Sequence, residues 1–480
     1  MSIEPLRRLP VVLACLLAAC ASVGPDYRAP RPDVPATWQS VPVEGMRPAD
    51  PQALARWWSQ LADPQLSALV DEALQSNPDL RSARAALRAA RASRDLASAR
   101  RFPTVNASAG GSRSTALGAT RSLYEAGFDA AWEPDVFGGT RRALEAAEAD
   151  LEAGLADLHA TQVSLTAEVA LNYIELRAFQ ARLAIARDNL ASQSETLQIT
   201  DWRAQAGLVG SLDVEQARSN RESTRAAIPT LDTGRAEAEH RLALLTGRTP
   251  GSLHQRLVVA EGARSGLLPK LPEATGLLIP AEVLRQRPDV RAAERRLAAE
   301  TARVGQAEAA RYPSFSLSGS IGLQALGLST FSGGGQVARS LAAAVSGPLF
   351  DAGRLRAQVE VQDAVREQQL AAYEKTVLTA LEDVQNALVA LANSRQRREA
   401  LASAAEAARN AALLARHQYA SGLIDFQTVL TTERSLLSIE DSLASAEAER
   451  VTALIQLYKA LGGGWSADRA EAAPQSGNDA

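Results

Sequence analysis

The sequence predicts an α+β membrane protein built as an internal tandem repeat, and three observations carry that prediction. Residues 77–111 and 287–321 register at a constant offset of 210: Pro78, Asp79, Arg81, Leu87, Arg101 and Pro103 meet identical residues at Pro288, Asp289, Arg291, Leu297, Arg311 and Pro313. The match continues with a small drift, Pro134 and Gly139 meeting Pro348 and Gly353, Glu168 and Asn172 meeting Glu382 and Asn386, Gly207 meeting Gly422, and Gly247 meeting Gly462. After Pro103 and Pro313 the apolar period changes from that of a helix to that of a strand. Beyond the strands, long runs carry leucine at sevens. Two like halves, 57–247 and 280–462, are therefore expected, joined by a linker or equatorial region at 248–279 and followed by a disordered tail at 463–480.

Each element has its own signal. Pro78 and Pro288 suit a first helical turn, with Asp79 and Asp289 against the positive end of the helix dipole. These helices should stop before Pro103 and Pro313, because the residue before proline is pushed to extended geometry. In 315–325, Phe315, Leu317, Ile321, Leu323 and Ala325 alternate with Ser316, Ser318, Ser320, Gly322 and Gln324. Weaker alternation at 104–117, with partners at 121–132 and 337–347, places strands within 104–132 and 314–350. Each is the ~10 residues that a tilted membrane-spanning strand needs. A pair of ordinary soluble hairpins is the competing reading of the same alternation. Leu144, Leu151, Leu158 and Leu165, then Val169, Leu176, Leu183, Leu190 and Leu197, form heptad rows with no proline from 140 to 206. The second copy, about 354–420, repeats this with Leu370, Val377, Val384 and Leu391. A helix over 140–206 would be about 100 Å long at 1.5 Å per residue. Gly207 and Gly422 break the long helices, and shorter ones return to Gly247 and Gly462.

Composition narrows the function classes. Hydrophobic residues make up 46% of the 480 but aromatics only 4%, which suits closely approaching helices. A net charge of −4 offers no basic footprint for nucleic acid. Arg7 and Arg8 precede an apolar run from Leu9 to Ala19, too short to span a bilayer, so residues 1–19 read as a signal peptide. LAAC at 17–20 resembles a bacterial lipobox, in which Cys20 would take a diacylglyceryl group and an N-acyl chain and become the first mature residue. An ordinary signal peptide with an incidental cysteine is the alternative. Ala21 in place of Asp favours outer-membrane sorting, and Cys15 falls in the removed segment, leaving no disulfide. Seven prolines between Pro25 and Pro51 make 20–56 an extended surface segment. No mature stretch has eighteen consecutive apolar residues, so any membrane span must be made of strands.

Four strands cannot close on themselves, and their edges would leave unpaired backbone in lipid. Two chains would make eight strands with a filled interior; three would make twelve and leave a bore. A homotrimer is the smallest assembly that both seals and conducts.

By these residues the chain resembles the outer membrane factor (TolC/OprM-like) family, in its lipoprotein efflux branch. The resemblance rests on GPDY (24–27), WW (57–58), DPQL (63–66), NPDL (77–80), WEPDVFGG (132–139), LLTGRTPG (244–251), LLIPAEVLRQRPDVRAAE (277–294), GPLFDAGR (347–354) and LYKALGGGW (457–465). It implies a trimeric channel-tunnel in the outer membrane, a twelve-stranded β-barrel above an α-helical coiled-coil barrel in the periplasm. It further implies a passive exit for drugs or other small solutes, served by a periplasmic adaptor and an inner-membrane RND-type pump. The family's gate lies at the helix turns, here 205–214 and 418–432. There Gln427 occupies a constricting leucine position and Thr431 the position of a ring-forming aspartate, so acidic charge would have to come from Asp425 or Asp213. Tyr419 matches a tyrosine that holds the tip closed, while Gln418 stands where some relatives have a pairing arginine. Gly139 also departs from the pattern, an arginine usually following FG.

No enzyme is expected. His159, His240, His254 and His417 are scattered without ligand spacing, and no nucleotide-binding, GxSxG or HExxH motif occurs. Energy would come from a partner, the gate opening as helix pairs untwist. Two other readings compete: a lipid-anchored periplasmic coiled-coil adaptor or scaffold without a pore, and a type I protein-secretion duct.

Overall fold

The computed structural model describes residues 22–31, 46–48, 54–116, 118–259, 267–269, 271, 276–278, 286–331 and 335–465. In chain order the elements are β1 (Met46–Pro48), a 3-10 turn (Trp57–Leu61), α1 (Pro64–Ser76), α2 (Pro78–Ala99), β2 (Thr104–Ala116), β3 (Ala119–Trp132), α3 (Gly139–Gln205) and α4 (Ser211–Leu245). There follow α5 (His254–Leu257), β4 (Gly276–Leu278), α6 (Pro288–Ala309), β5 (Ser314–Ala325), α7 (Leu328–Phe331), β6 (Gln336–Ser346), α8 (Arg354–Ala420) and α9 (Phe426–Ala460). The duplication is exact in the lengths of the main helices: α2 and α6 have 22 residues each, α3 and α8 have 67, and α4 and α9 have 35. The chain divides into two compact units, one formed by 1–32, 85–156 and 291–376, the other by 33–84, 157–290 and 377–480.

The first unit holds a four-stranded antiparallel sheet in the order β2-β3-β5-β6, so the two hairpins join through β3 and β5. Register puts most of the large apolar side chains on one face, Leu123 beside Ser112 being an exception. Phe128 pairs with Ile321, Trp132 with Leu317, Leu323 with Val337 and Phe315 with Val345. That face is bare in the chain: Leu341 is 80% exposed and Phe128 59%. The other face carries Asn106, Asp129, Ser318, Ser320 and Gln324, and Ser320 and Ser340 hydroxyls bond across it at 2.8 Å. An open sheet with one apolar and one polar face is what a barrel wall looks like before closure. Among the described residues no helix is long and apolar enough to cross a membrane.

The N-terminal segment packs on this same unit. The Val23 N–H donates to the Phe137 carbonyl at 3.2 Å. The buried Arg142 donates from Nε to the Val23 carbonyl (3.2 Å) and from Nη2 to Asp26 (2.7 Å). Tyr27 donates to Glu294 at 3.1 Å, and burial pushes its phenol above the ordinary range. Cys20 and the signal segment 1–19 lie outside the described residues, as do 466–480.

In the second unit the long helices pack through alanines and aliphatic side chains, Ala167, Val169, Ala170 and Leu176 being fully buried along α3. Trp57 and Trp58 are buried with Trp57 stacked on Tyr458 at 5.3 Å, so aromatics are few but concentrated. Several segments have more structure than the sequence suggests. β1, within the expected extended segment, pairs in parallel with β4, within the expected linker. That linker also contains α5, and α7 lies between β5 and β6. Residues 463–465, assigned to the tail, are packed, with Trp465 stacked on His159 at 4.3 Å. Three-residue strands and one-turn helices are below the length at which periodicity is readable.

Gly127 and Gly322 face each other where the two hairpins meet. A Cβ on Gly322 would lie 2.8 Å from the Ala126 carbonyl oxygen, and one on Gly127 would lie 2.6 Å from that of Ile321. Both obstacles are backbone, which cannot swing away. Gly322→Val should therefore split the sheet between β3 and β5. Fractionation followed by unheated gel electrophoresis should show loss of the outer-membrane assembled form.

Candidate gate at the helix turns

The long helices end alike. Gly207 (φ 73°) and Gly422 (φ 76°) adopt the left-handed conformation that an L side chain resists, and each closes a Schellman motif. The Leu208 N–H reaches the Arg203 carbonyl, and the Leu423 N–H reaches the Gln418 carbonyl, both at 2.8 Å. Thereafter the turns differ. Asp425 caps α9, its carboxylate accepting from the Thr428 N–H (2.9 Å) and hydroxyl (2.6 Å). Those hydrogen bonds hold its pKa below the usual aspartate value. At the first turn Gly210 occupies the cap with no side-chain bond, and Asp213 sits in the first turn of α4, half-buried.

Tyr419 is the centre of the second turn. It is buried in a cluster with Ala217, Ala415, Phe426, Val429 and Leu430, its ring 5.6 Å from that of Phe426. Arg203, from the last turn of α3, lies with its guanidinium 4.4 Å over the Tyr419 ring and donates to the Tyr419 carbonyl at 2.6 Å. One side chain thus bonds both the π face and the backbone of its partner helix. The Tyr419 hydroxyl is buried without a hydrogen-bond partner among the described residues.

The sequence-predicted residues fall into separate groups. Gln427 and Thr431 are exposed one turn apart on α9, the Thr431 hydroxyl spent on the Gln427 carbonyl at 2.8 Å. Gln418 is exposed. Asp213 and Asp425 occupy different turns, and among the described residues no cluster of three or more acidic, His or Cys side chains suits a metal. Arg203 was not anticipated. It occupies, in the first repeat, the place of Gln418 in the second, when Gly207 is laid on Gly422. That register was the available signal.

A sequence model of outer membrane efflux proteins matches residues 69–248 and 279–463 of this chain. The chain belongs to the outer membrane efflux protein family. This efflux protein is 32% identical over 476 residues to the solvent efflux pump outer membrane protein SrpC of Pseudomonas putida, spanning 96% of this chain and 98% of that one. Its fold matches the outer-membrane channel OprN with a TM-score of 0.86 and 39% identity, covering 93% of this chain and all of OprN. It also matches MtrE of Neisseria gonorrhoeae, solved in its open state, at a TM-score of 0.81 and 30% identity, with 93% and 99% covered. Family membership places it in the outer membrane.

The lone Tyr419 hydroxyl separates packing from hydrogen bonding. Tyr419→Phe should leave stability and closure unchanged, since no bond is lost. Tyr419→Ala should destabilise by about 3–5 kcal/mol, as large aromatic truncations in cores do. Arg203→Ala should keep the fold and raise uptake of bulky antibiotics. Thermal unfolding checks the first two, and susceptibility of cells making the variant checks the third.

Proposed function

We propose that this efflux protein is the passive outer-membrane exit of a tripartite pump, working as a homotrimer. Three copies of the β2-β3-β5-β6 sheet would pair edge to edge into a twelve-stranded barrel. The bare apolar face would meet lipid and the serine-rich face the lumen. The observation that carries this reading is the sheet with one apolar face and two unpaired edges. Such a sheet is untenable alone in a bilayer. It also disfavours the pore-free adaptor, which has no use for an exposed apolar β surface.

The long helices would continue the duct as an α-helical coiled-coil barrel in the periplasm and end at the turns described above. A periplasmic adaptor and an inner-membrane RND-type pump would supply the energy, no nucleotide motif being present. Cargo would be drugs, solvents or other small solutes, selected by the pump. Cys20, carrying diacylglyceryl and N-acyl chains, would add a lipid anchor beside the segment that Arg142 fixes.

Purified mature protein in planar bilayers should give discrete conductance steps, and crosslinking in cells should capture a homotrimer with an adaptor and a pump. No conductance even from Arg203→Ala would support the scaffold reading. Capture of an ABC-type pump in place of an RND-type one would support protein secretion. Cys20→Ser should abolish palmitate labelling while the trimer still assembles.

A further inference from the structure

The apolar face of the sheet carries two charges. Arg339 pairs directly with Ile321, and Ile321 with Phe128, so all three share that face. Phe128 pairs with Ala107, and Arg113 lies an even number of residues along β2 from Ala107, so it points the same way. Among the described residues these are the only charged side chains on this face; Arg121, Glu125 and Asp129 all lie on the serine-rich one. Both arginines are exposed, and neither has a hydrogen bond or ion pair with a described residue.

Their height and their strands are matched as well. Arg113 stands three residues before the end of β2 at Ala116, and Arg339 three residues after the start of β6 at Gln336. In both strands that is the end away from the long helices. An arginine there reaches the membrane boundary, whereas at the bilayer centre it would be far more costly. β2 and β6 are the two edges of the sheet, so within one chain its whole width separates the pair.

Closure between copies reverses that separation. β6 and β2 repeat β3 and β5, so the seam between chains should copy the β3–β5 join, where Trp132 faces Leu317. Leu317 is repeated as Ala107, and the last residue of β6 on the apolar face is Val345. Val345 set on the partner's Ala107 puts Arg339 on the partner's Arg113, each six residues further along its strand. A slip of two residues, the smallest that keeps the faces matched, still leaves them diagonal neighbours. Their Cβ atoms would be about 5 Å apart when opposite and about 7–8 Å on the diagonal.

Like charges facing each other across strands repel, and no acidic side chain on that face neutralises them. A phosphate does so, accepting from both guanidinium forks at once. The outer leaflet of an outer membrane is largely lipopolysaccharide, whose lipid A disaccharide carries phosphates at that depth. Resting on the duct reading above, we propose that Arg339 of one copy and the partner's Arg113 form a phosphate site for the lipid A head group. The site recurs at every seam and is absent from the single chain. Its glycolipid straddles two copies and ties them together from outside.

Full-length trimer in detergent, incubated with bisphosphorylated lipid A and examined by native mass spectrometry, should retain one molecule per seam. Arg113→Gln and Arg339→Gln should each weaken retention roughly tenfold or more, since each removes a charged partner of the phosphate. The double variant should be no weaker than either single one, because both arginines hold one group. Dephosphorylated lipid A should bind the wild type no better than lipid A binds the variants. Wild-type retention by both single variants overturns the proposal. So does equal retention of phosphatidylglycerol, or displacement of lipid A by inorganic phosphate. The juxtaposition has its own test: Arg113→Cys/Arg339→Cys should be linked by a short bis-maleimide into covalent dimers and trimers, and an assembled trimer that gives none overturns the seam and the site with it. If the wild type is not a trimer, the duct reading itself fails. A trimer that crosslinks but retains no lipid A removes only the phosphate site.

Discussion

Unpaired backbone at the two outer strands governs this structure. β2 and β6 each present an edge with no partner strand among the described residues, and the sheet between them is apolar on one face. In hydrocarbon each unpaired group costs several kcal/mol, so the sheet has no stable existence there until its edges are closed. The rest follows from that requirement. Duplication supplies two hairpins from one chain, and the Gly127–Gly322 contact lets them join without a gap. Prolines at 103 and 313 end the helices where the strands must begin. The proposed trimer is the smallest closure that leaves a lumen.

Duplicated backbone with divergent side chains is the second theme. Asn77 and Arg287 occupy the same place before the repeat's proline. Asn77 donates to the Leu245 carbonyl at 2.9 Å, and Arg287 donates to the Ala460 carbonyl at 2.8 Å, so each ties down the end of its own return helix. Different chemistry does one structural job. At the turns the reverse holds: Arg203 and Gln418 share a place, but only the arginine reaches across to Tyr419. Likewise the buried Glu433 and Glu440 stand opposite the solvated Arg218 and Arg225. Six-fold likeness of backbone is thereby reduced to three-fold likeness of chemistry in the proposed assembly.

Much of the fold was legible because its elements are long. Sixty-seven-residue helices carry enough heptads for the period to stand above noise, and strands of eleven to fourteen residues show their alternation through β5 in particular. The short elements were not legible: β1 and β4 have three residues each and stabilise one another only across 230 positions of sequence, Met46 on Gly276. At the gate, Tyr419 could be picked out, yet its partner Arg203 lies in the other repeat and was hidden behind Gln418, the residue nearer in sequence.

The sequence by itself determined the duplication, the two-period alternation of strand and helix, and the family to which the chain belongs. Those are local or periodic properties, set by where proline, glycine and leucine recur. Only the tertiary structure decided which polar side chains are buried and what they meet. Glu433 and Glu440 look in sequence like any solvated charge on an amphipathic helix. They are buried because α9 lies between α3 and α8, and a charge's cost depends on what surrounds it rather than on its neighbours along the chain.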